Sequence, residues 1–378
     1  MRIDDLLKIA IEMEASDVHL KVGNHPQFRV HGVLAPLPQL PRLTSKDTED
    51  LANQMMGEYQ RARLRADYDL DLAYSLPGFG RFRGSIFLQR GSVAIALRII
   101  PFEIKSFQEL LLPEVLGKIS TVERGLVLVT GTTGSGKTTT LASMIDHINA
   151  NRREHIITIE DPIEYLHRDK KSTICQREVG WDVKSFSRGL RAALREDPDI
   201  ILVGEMRDME TMETALTAAE TGHLVLSTLH TVDAVESVNR IISVFPPHQQ
   251  RQVRTQLASI LCSVISMRLI PKKDGKGRVP AVEVMIATPF ISECILDRDK
   301  TPQIRDAIAA GGSQYGMQTF DQSIYRLYEQ GHVSFEQGLR YTTSPDNFKL
   351  RVQGIQSTLD IALEQMEAGA KKAPPGQE

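Results

Sequence analysis

The sequence predicts an α/β protein with a doubly wound domain in the middle of the chain, a small α+β domain before it and a helical segment after it. Four continuous apolar runs are separated by helical segments, as a parallel sheet covered on both faces requires; they span residues 125–130, 156–159, 200–203 and 224–227. Short strands fill roughly the first 100 residues, and the pattern after Pro289 is mostly helical.

Composition narrows the class of protein. The chain has 378 residues, enough for two or three domains, and a formal net charge of -3, which does not favour nucleic acid as a partner. Its three cysteines lack metal-ligand spacing, which suits a reducing cytosol. No apolar run approaches the ~20 residues of a membrane span, and the N-terminus lacks the apolar core of a signal peptide. We therefore expect a cytoplasmic protein without direct membrane insertion.

The first domain is predicted to cover residues 1–100. A one-sided apolar stripe at residues 3–11 indicates a helix, and a second helix is predicted over 45–65 with Ser45 as its N-cap. Short strands at 18–20, 28–30, 70–74, 82–88 and 93–100 indicate an antiparallel meander. The further boundaries are a linker at 101–116, the α/β domain at 117–288, a helical region at 289–360 and a disordered tail at 361–378.

A phosphate-binding loop follows the first apolar strand. Residues 131–138 match the pattern G-x-x-x-x-G-K-[ST], with a strand before them and a predicted helix at 139–148 after them. Such a loop binds phosphates through backbone N–H groups and a helix N-terminus, with Lys137 at the β- and γ-phosphates and the Thr138 hydroxyl on Mg²⁺. The sequence therefore predicts ATP and Mg²⁺ as ligands, bound by Gly131, Thr133, Gly134, Ser135, Gly136, Lys137, Thr138 and Thr139.

Carboxylates follow two of the other apolar strands. Glu160 and Glu164 come after the strand at 156–159, and Glu205 comes after the strand at 200–203. Parallel strands end at one edge of a sheet, so these groups are candidates to orient or deprotonate the attacking water, and Glu205 to hold Mg²⁺ through water. Gly204 stands where such a strand usually ends in Asp. A surface acidic turn is the alternative for Glu160 and Glu164.

Histidines and arginines complete the candidate set. His223 and His230 bracket the strand at 224–227, and a strand ending in Ser-Thr-x-His suits a sensor of the γ-phosphate. Arg83 and Arg98 lie on neighbouring predicted strands of the first domain, where a guanidinium is a candidate to compensate phosphate charge. Solvent-exposed arginines without a role are the alternative.

The order of these boxes resembles that of the secretion-superfamily ATPases. Further segments resemble the PilT family, the motors that retract type IV pili, and the resemblance runs from about residue 3 to residue 348. The segments that carry it are Ser-Asp-Val-His-Leu at 16–20, Gly-Arg-Phe-Arg at 80–83, Gln-Arg-Gly at 89–91, Arg-Gly-Leu-Val at 124–127, Gln-Arg-Glu-Val-Gly at 176–180, Leu-Arg-Glu-Asp-Pro-Asp at 194–199 and Gly-Met-Gln-Thr-Phe-Asp-Gln at 316–322.

The resemblance implies a PAS-like N-terminal domain, a RecA-like ATPase domain and a ring-shaped homo-hexamer. It also implies that ATP binds between the two domains and against a neighbouring subunit, and that an inner-membrane pilus platform protein is a partner. Arg83 and Arg98 take the role of the arginines that reach ATP. Glu164 and Glu205 take the carboxylate roles, with the general base open between them, and His230 and His223 take the histidine role.

One segment departs from the pattern of the family. Retraction motors carry Ala-Ile-Arg-Asn-Leu-Ile-Arg-Glu after the ATPase core, whereas residues 290–297 here read Phe-Ile-Ser-Glu-Cys-Ile-Leu-Asp. Ser292 and Leu296 thus replace both arginines. A retraction motor and an accessory, PilU-like paralogue that acts with another retraction ATPase both remain open. A nucleic-acid translocase is the weaker alternative, because the composition is slightly acidic.

Overall fold

The computed structural model describes residues 1–30, 32–100 and 103–355. The chain divides into two compact units. The N-terminal unit consists of residues 1–103 and 164–166, and the C-terminal unit consists of residues 104–163 together with the chain from 167 onward. The predicted tail at 361–378, the residues 356–360 before it and residues 101–102 of the predicted linker lie outside the described residues.

The N-terminal unit is built on an antiparallel sheet. Its six strands lie in the order β3-β2-β1-β6-β5-β4, and all of its pairs are antiparallel, as predicted. The sheet is not one meander, however, because β1–β3 and β4–β6 form two three-stranded meanders that the pairing of β1 with β6 joins. The strands are β1 (Ala15–Leu20), β2 (Gln27–Val30), β3 (Val33–Pro36), β4 (Asp69–Leu76), β5 (Gly80–Gln89) and β6 (Ser92–Ile100). The helices are α1 (Ile3–Glu12), α2 (Ser45–Met55) and α3 (Glu58–Asp67).

The single helix predicted over 45–65 is wrong, because two helices occupy that stretch. The first helix ends before Met56. A new N-terminus forms at Gly57, whose N–H donates to the Gln60 side chain at 2.6 Å, and α3 begins there. The predicted N-cap is also displaced by one residue. Thr44 caps α2, since its hydroxyl accepts from the Asp47 N–H at 3.2 Å while the Asp47 carboxylate accepts from the Thr44 N–H at 2.8 Å.

The C-terminal unit contains a seven-stranded sheet in the order β13-β12-β7-β11-β10-β8-β9. All of its pairs are parallel except β12 with β13. The four strands predicted from apolar runs are confirmed as β7, β8, β10 and β11, whose side chains are almost all buried. The strands are β7 (Gly125–Thr130), β8 (His155–Glu160), β9 (Thr173–Glu178), β10 (Ile200–Val203), β11 (Leu224–Leu229), β12 (Leu261–Pro271) and β13 (Arg278–Ile286).

Helices cover both faces of this sheet. Two separate apolar clusters, one on each face, contain alternate residues of the same strands, such as Leu126 and Leu128 in one and Val127 and Val129 in the other. This arrangement explains why the strands read as unbroken apolar runs. The helices before residue 289 are α4 (Val115–Ser120), α5 (Lys137–Asn151), α6 (Phe186–Ala193), α7 (Met209–Glu220), α8 (Ala234–Val244) and α9 (Gln250–Ile260).

The described part of the chain after Pro289, up to residue 355, is mostly helical, as predicted. An apolar stripe of Phe320, Ile324 and Leu327 on α13 is buried in one cluster with Ile270 of β12 and Val279 of β13. The helices are α10 (Pro289–Leu296), a 3₁₀ helix (Arg298–Gln303), α11 (Ile304–Ala310), α12 (Gly312–Tyr315), α13 (Phe320–Glu329), α14 (Phe335–Tyr341) and α15 (Pro345–Val352). Among the helices of the described residues, none has the length and apolar character that crossing a bilayer demands.

We predict that Gly125→Ala destabilises the C-terminal unit far more than Gly222→Ala. Both glycines have a left-handed φ, +115° and +113°, so either substitution strains the backbone by about 1–3 kcal/mol. A Cβ at Gly125 would also lie 2.6 Å from the Ile260 carbonyl oxygen, whereas one at Gly222 meets nothing within 4 Å. Overpacking should add about 1–3 kcal/mol at Gly125, measurable by urea unfolding. Equal losses in the two variants would contradict the packing.

Candidate active site

Four neighbouring parallel strands of the C-terminal unit end at one edge of the sheet. Their order, β8-β10-β11-β7, and their register place the ends of all four side by side, with Ile159, Val203 and Ser227 in line and Leu229 opposite Thr130. The predicted site residues lie at these ends or just beyond them: Glu160 ends β8, Glu205 follows β10, His230 follows β11, and the loop that begins at Gly131 follows β7. The carboxyl edge of an open α/β sheet is where such folds bind ligands.

The loop at 131–136 needs glycine at its ends. Gly131 has φ +140°, and a Cβ there would lie 2.5 Å from Ser135 Oγ and 2.6 Å from the Met267 carbonyl oxygen. Gly136 has φ +101° and directly precedes α5, a helix of 15 residues. The chain therefore turns tightly from β7 into α5, and the amino end of a long helix faces the loop, an arrangement that attracts anions.

Two side chains of the loop indicate that it binds a phosphate. Lys137 is 9% exposed, and its ammonium donates to the carbonyl oxygens of Gly131 and Thr132 at 2.8 and 3.0 Å. The buried Ser135 hydroxyl has no hydrogen-bond partner in the described part of the chain. A buried hydroxyl without a partner costs stability, and a phosphate oxygen would supply one. Thr138 and Thr139 are partly exposed in the first turn of α5, so the residues present fit a Mg²⁺–nucleotide complex.

Glu205 is the centre of a polar cluster at the same edge of the sheet as this loop. Its Oε2 lies 2.7 Å from the Arg207 Nε and 3.5 Å from the His230 Nε2. The Glu205 side chain is 14% exposed, whereas that of His230 is 48% exposed. The Thr228 hydroxyl donates to the Gly204 carbonyl at 2.7 Å, which fixes the backbone next to Glu205. The fold thus brings together two of the predicted residues, Glu205 and His230, from neighbouring strands.

Packing explains why a glycine precedes Glu205. The Gly204 N–H donates to the Ile159 carbonyl at 2.8 Å, and a Cβ at Gly204 would lie 3.2 Å from that same oxygen. The backbones of β8 and β10 approach too closely there for a side chain to fit without a shift. The acidic group consequently appears one residue later, at Glu205.

The two predicted glutamates at the end of β8 and beyond it differ in their surroundings. Glu160 is buried, and its Oε1 accepts from the Thr158 hydroxyl at 2.6 Å and from the Gln176 amide at 3.1 Å. Glu164 is exposed and belongs to the N-terminal unit, together with residues 165–166. Glu160 is therefore fixed in place by its neighbours, while the Glu164 carboxylate is open to solvent.

The structure does not place His223 beside the loop in the same chain. His223 precedes β11, and its carbonyl accepts from the Gly125 N–H at 3.0 Å, at the amino end of β7. The six residues of β11 separate His223 from His230, and a strand of that length spans roughly 20 Å. The His223 ring bonds instead to the Ala218 carbonyl at 2.9 Å. His223 and His230 are seven positions apart, one before β11 and one after it, so they lie at opposite edges of the sheet.

Arg83 and Arg98 lie directly opposite each other on β5 and β6 of the N-terminal unit. Arg98 Nε donates to the Asp17 carboxylate at 3.0 Å, and 73% of the Arg98 side chain is exposed. Burial alone would raise the pKa of Asp17, but the hydrogen bond from the Ser16 hydroxyl, followed by the hydrogen bond and the charge of Arg98, brings that pKa below its ordinary value. The two guanidinium groups therefore form an exposed pair on one face of the sheet.

Two contacts of the predicted residues were not foreseen from the sequence. Arg207 was missed, although its position two residues after Glu205 would place both side chains on the same side of an extended segment. Asp17 was also missed, because its partner Arg98 is 81 residues away and only the pairing of β1 with β6 joins them.

The fold and this site define a class of protein. The family model of type II/IV secretion system proteins matches residues 1–340. The chain therefore belongs to the type II/IV secretion system protein family.

Within that family the chain is similar to ATPases of type IV pili. It is 47% identical to the type IV pilus retraction ATPase PilT of Pseudomonas aeruginosa, over 92% of this chain and 100% of that protein. It is 39% identical to the type IV pilus ATPase PilU of the same species, over 95% and 94%. The crystal structure of the pilus retraction motor PilT with bound ADP matches with a TM-score of 0.84 and 49% identity, over 92% and 98% of the two chains.

We predict that Ser135→Ala leaves the ligand-free protein as stable as the wild type, or slightly more stable, because the lost hydroxyl has no partner among the described residues. Ser263→Ala is the matched control, since the buried Ser263 hydroxyl donates to the Met285 carbonyl at 2.7 Å and its loss should cost about 1 kcal/mol. Thermal unfolding with and without Mg²⁺–ADP is the measurement. Ser135→Ala should reduce the gain in Tm on adding nucleotide, and an unchanged gain would contradict a phosphate contact.

Proposed function

We propose that the chain is an ATPase motor that hydrolyses ATP to retract type IV pili. The observation that carries the proposal is the meeting of the phosphate-binding loop, Glu205 and His230 at one sheet edge. The identity to the retraction ATPase PilT along nearly the whole of both chains supports the choice of substrate and of machine. The chain acts in the cytoplasm, at the inner membrane, through a pilus platform protein.

Binding of ATP is assigned to the loop and the start of α5. Backbone N–H groups from Gly134 to Thr138 and the Ser135 hydroxyl contact phosphate oxygens, and the Lys137 ammonium exchanges its two carbonyl partners for the β- and γ-phosphates. The Thr138 hydroxyl and, through water, Glu205 hold Mg²⁺, which neutralises charge on the phosphates when bound. Gly131, Thr133, Gly136 and Thr139 shape the loop and its entry into the helix.

Hydrolysis is assigned to the carboxylates and His230. Glu205 orients the attacking water, because its carboxylate is nearly buried and is already held by Arg207 and His230. The half-exposed His230 ring hydrogen-bonds the γ-phosphate. Its contact with Glu205 couples the presence of the γ-phosphate to that carboxylate. Glu164 is the second candidate for the general base, and Glu160 supports the edge from within the sheet. His223 is left out of the site of its own chain.

Force generation requires the second domain and further subunits. We assign a PAS-like fold to the N-terminal domain, residues 1–100, and a RecA-like fold to residues 117–288, with the linker at 101–116 between them and the helical region at 289–360 after them. ATP lies between the two domains of a homo-hexamer, where Arg83 and Arg98 compensate phosphate charge. Contacts to the γ-phosphate favour one arrangement of the domains, and hydrolysis releases it.

We predict that Glu205→Gln lowers kcat for ATP by about 100-fold or more while the Kd for ATP changes by less than about threefold, because the amide cannot orient and deprotonate water. Lys137→Ala should instead weaken ATP binding itself, since the ammonium contact to the phosphates is lost. Steady-state hydrolysis and equilibrium binding of a fluorescent ATP analogue separate the two effects.

Glu213→Gln serves as the control, because Glu213 is an exposed glutamate of α7 that is not among the residues assigned to the site. It should hydrolyse ATP at the wild-type rate. Wild-type turnover in Glu205→Gln or in Lys137→Ala would overturn the assignment of the site.

A second candidate function is that of an accessory ATPase that acts with another retraction motor. It is favoured by α10, where Ser292 and Leu296 replace the two arginines of retraction motors and where Phe290 and Leu296 are about half exposed. The 39% identity to PilU over nearly the whole chain supports this alternative. Changes on α10 leave the ATP site intact, so the two candidates share the same chemistry.

Complementation distinguishes the two candidates. In a strain that lacks its retraction motor, we predict that this chain restores twitching motility, and that Ser292→Arg combined with Leu296→Arg does not reduce its ATPase rate, because α10 is not part of the site. Motility is scored by subsurface spreading and ATP turnover on the purified proteins. Full ATPase activity without rescue of motility, with rescue only beside a second motor, would favour the accessory function.

A further inference from the structure

A buried carboxylate lies in the C-terminal unit outside the proposed site. Glu283 of β13 is 4% exposed, and its strand neighbours Val282 and Val284 are fully or almost fully buried. The Ala234 N–H donates to Glu283 Oε1 at 3.0 Å. Ala234 is the first residue of α8, so the carboxylate binds the amino end of that helix, where negative charge is stabilised by the helix dipole.

Ala234, whose N–H contacts Glu283, lies four residues after His230. The connecting segment is tied internally: Thr231 Oγ1 and Ser237 Oγ hydrogen-bond at 2.6 Å, and Asp233 accepts from the Glu236 N–H at 2.8 Å. Thr231 and Ser237 are both buried. Because these bonds leave little freedom between His230 and the first turn of α8, the position of Ala234 constrains the position of His230.

Charged groups from five other elements line a cavity of about 360 Å³ together with Glu283. They are Asp233 before α8, Arg268 of β12, Arg305 and Asp306 of α11, Asp321 of α13 and Arg351 of α15. Arg305 pairs with Asp233 at 3.3 Å. The Arg268 guanidinium lies 3.8 Å above the Phe320 ring and donates to the Tyr341 carbonyl at 3.1 Å. The amino end of α8 is thereby joined to the C-terminal helices through charged side chains.

Burial raises the pKa of Glu283 to about 7 from its ordinary value of 4.5, and the charge of Asp233 adds to the rise, whereas the Ala234 N–H and the two arginines oppose it. Between these values the unfolded chain has lost the proton and the folded chain keeps it, so stability falls as the pH rises through this window. A carboxylate at this position therefore costs stability at neutral pH. Glutamine would accept the same hydrogen bond without that cost.

We propose that Glu283 is a positioning residue for His230: its ionised carboxylate holds the amino end of α8, and through it the segment 230–237, and ties that segment to the C-terminal helices by way of Asp233 and Arg305. The inference rests on the proposed ATPase function of the same chain. Ionised Glu283 is the stronger acceptor, because a charged hydrogen bond is about twice as strong as a neutral one. The catalytic edge is then held in place above neutral pH and loosened below it.

The first test is the pH dependence of ATP turnover in the full chain. Wild-type kcat should rise about tenfold between pH 6 and pH 8, because the ionised fraction of a group with a pKa of about 7 rises by that factor. In Glu283→Gln this inflection should disappear while KM for ATP changes by less than about threefold. Glu213→Gln is the control and should keep the wild-type profile. An unchanged inflection in Glu283→Gln overturns the inference.

A second variant, Arg305→Gln, tests the inference independently of whether Glu283→Gln folds. The Arg305 side chain is 56% exposed, and its charge lowers the pKa of Glu283. Arg305→Gln should therefore move the inflection of kcat to higher pH without abolishing it. Thermal unfolding of Glu283→Gln should show a Tm at or above that of the wild type at pH 8. An inflection at the wild-type pH in Arg305→Gln contradicts the coupling.

Hydrogen exchange separates this inference from the proposed function. The protection factor of the Ala234 amide, corrected for intrinsic exchange, should rise severalfold from pH 6 to pH 8 in the wild type and stay constant in Glu283→Gln. This measurement needs no turnover. A wild-type chain that does not hydrolyse ATP overturns the proposed function alone, whereas equal protection in both proteins at both pH values overturns the role of Glu283.

Discussion

The parallel pairing of β7 with β11 is the constraint on which the site depends. Its register sets Leu229 opposite Thr130, so the chain leaves both strands at the same level and enters His230 on one side and the phosphate-binding loop on the other. The Thr130 hydroxyl donates to Ser266 Oγ at 2.9 Å and fixes the end of β7 against β12 as well. A slip of one residue would turn every side chain of the strand to the other face of the sheet.

Some buried side chains of the seven-stranded sheet are polar rather than apolar. The strands are mainly apolar, and three of their buried residues are carboxylates, Glu160, Glu178 and Glu283. Two of them bear on the site: Glu160 is held by Thr158 and Gln176, and Glu283 by the Ala234 N–H. A buried carboxylate is costly unless it is hydrogen-bonded. Glu160 lies at the carboxyl edge of the sheet, and Glu283 accepts from the first residue of α8, the helix that follows His230.

Local sequence patterns predicted the parts of the fold that depend on neighbouring residues. The four central strands and the helix after the loop were predicted because burial on both faces leaves unbroken apolar runs. β9 was missed because it is an edge strand with exposed residues such as Cys175, and one predicted helix proved to be two because Gly57 starts a new cap. Arg207 and Asp17 were missed because their partners are set by backbone path and strand pairing.

The sequence by itself determined the class of chemistry, since the glycines of the loop, Lys137 and Thr138 lie within eight consecutive residues and act through local backbone geometry. Membership of the family could likewise be predicted, because the order of the boxes along the chain carries it. Only the tertiary structure decided which distant residues meet. It joined Glu205 to His230 at 3.5 Å and placed His223 at the opposite edge, because strand order and register, which arise from long-range pairing, assign each loop to one edge of the sheet.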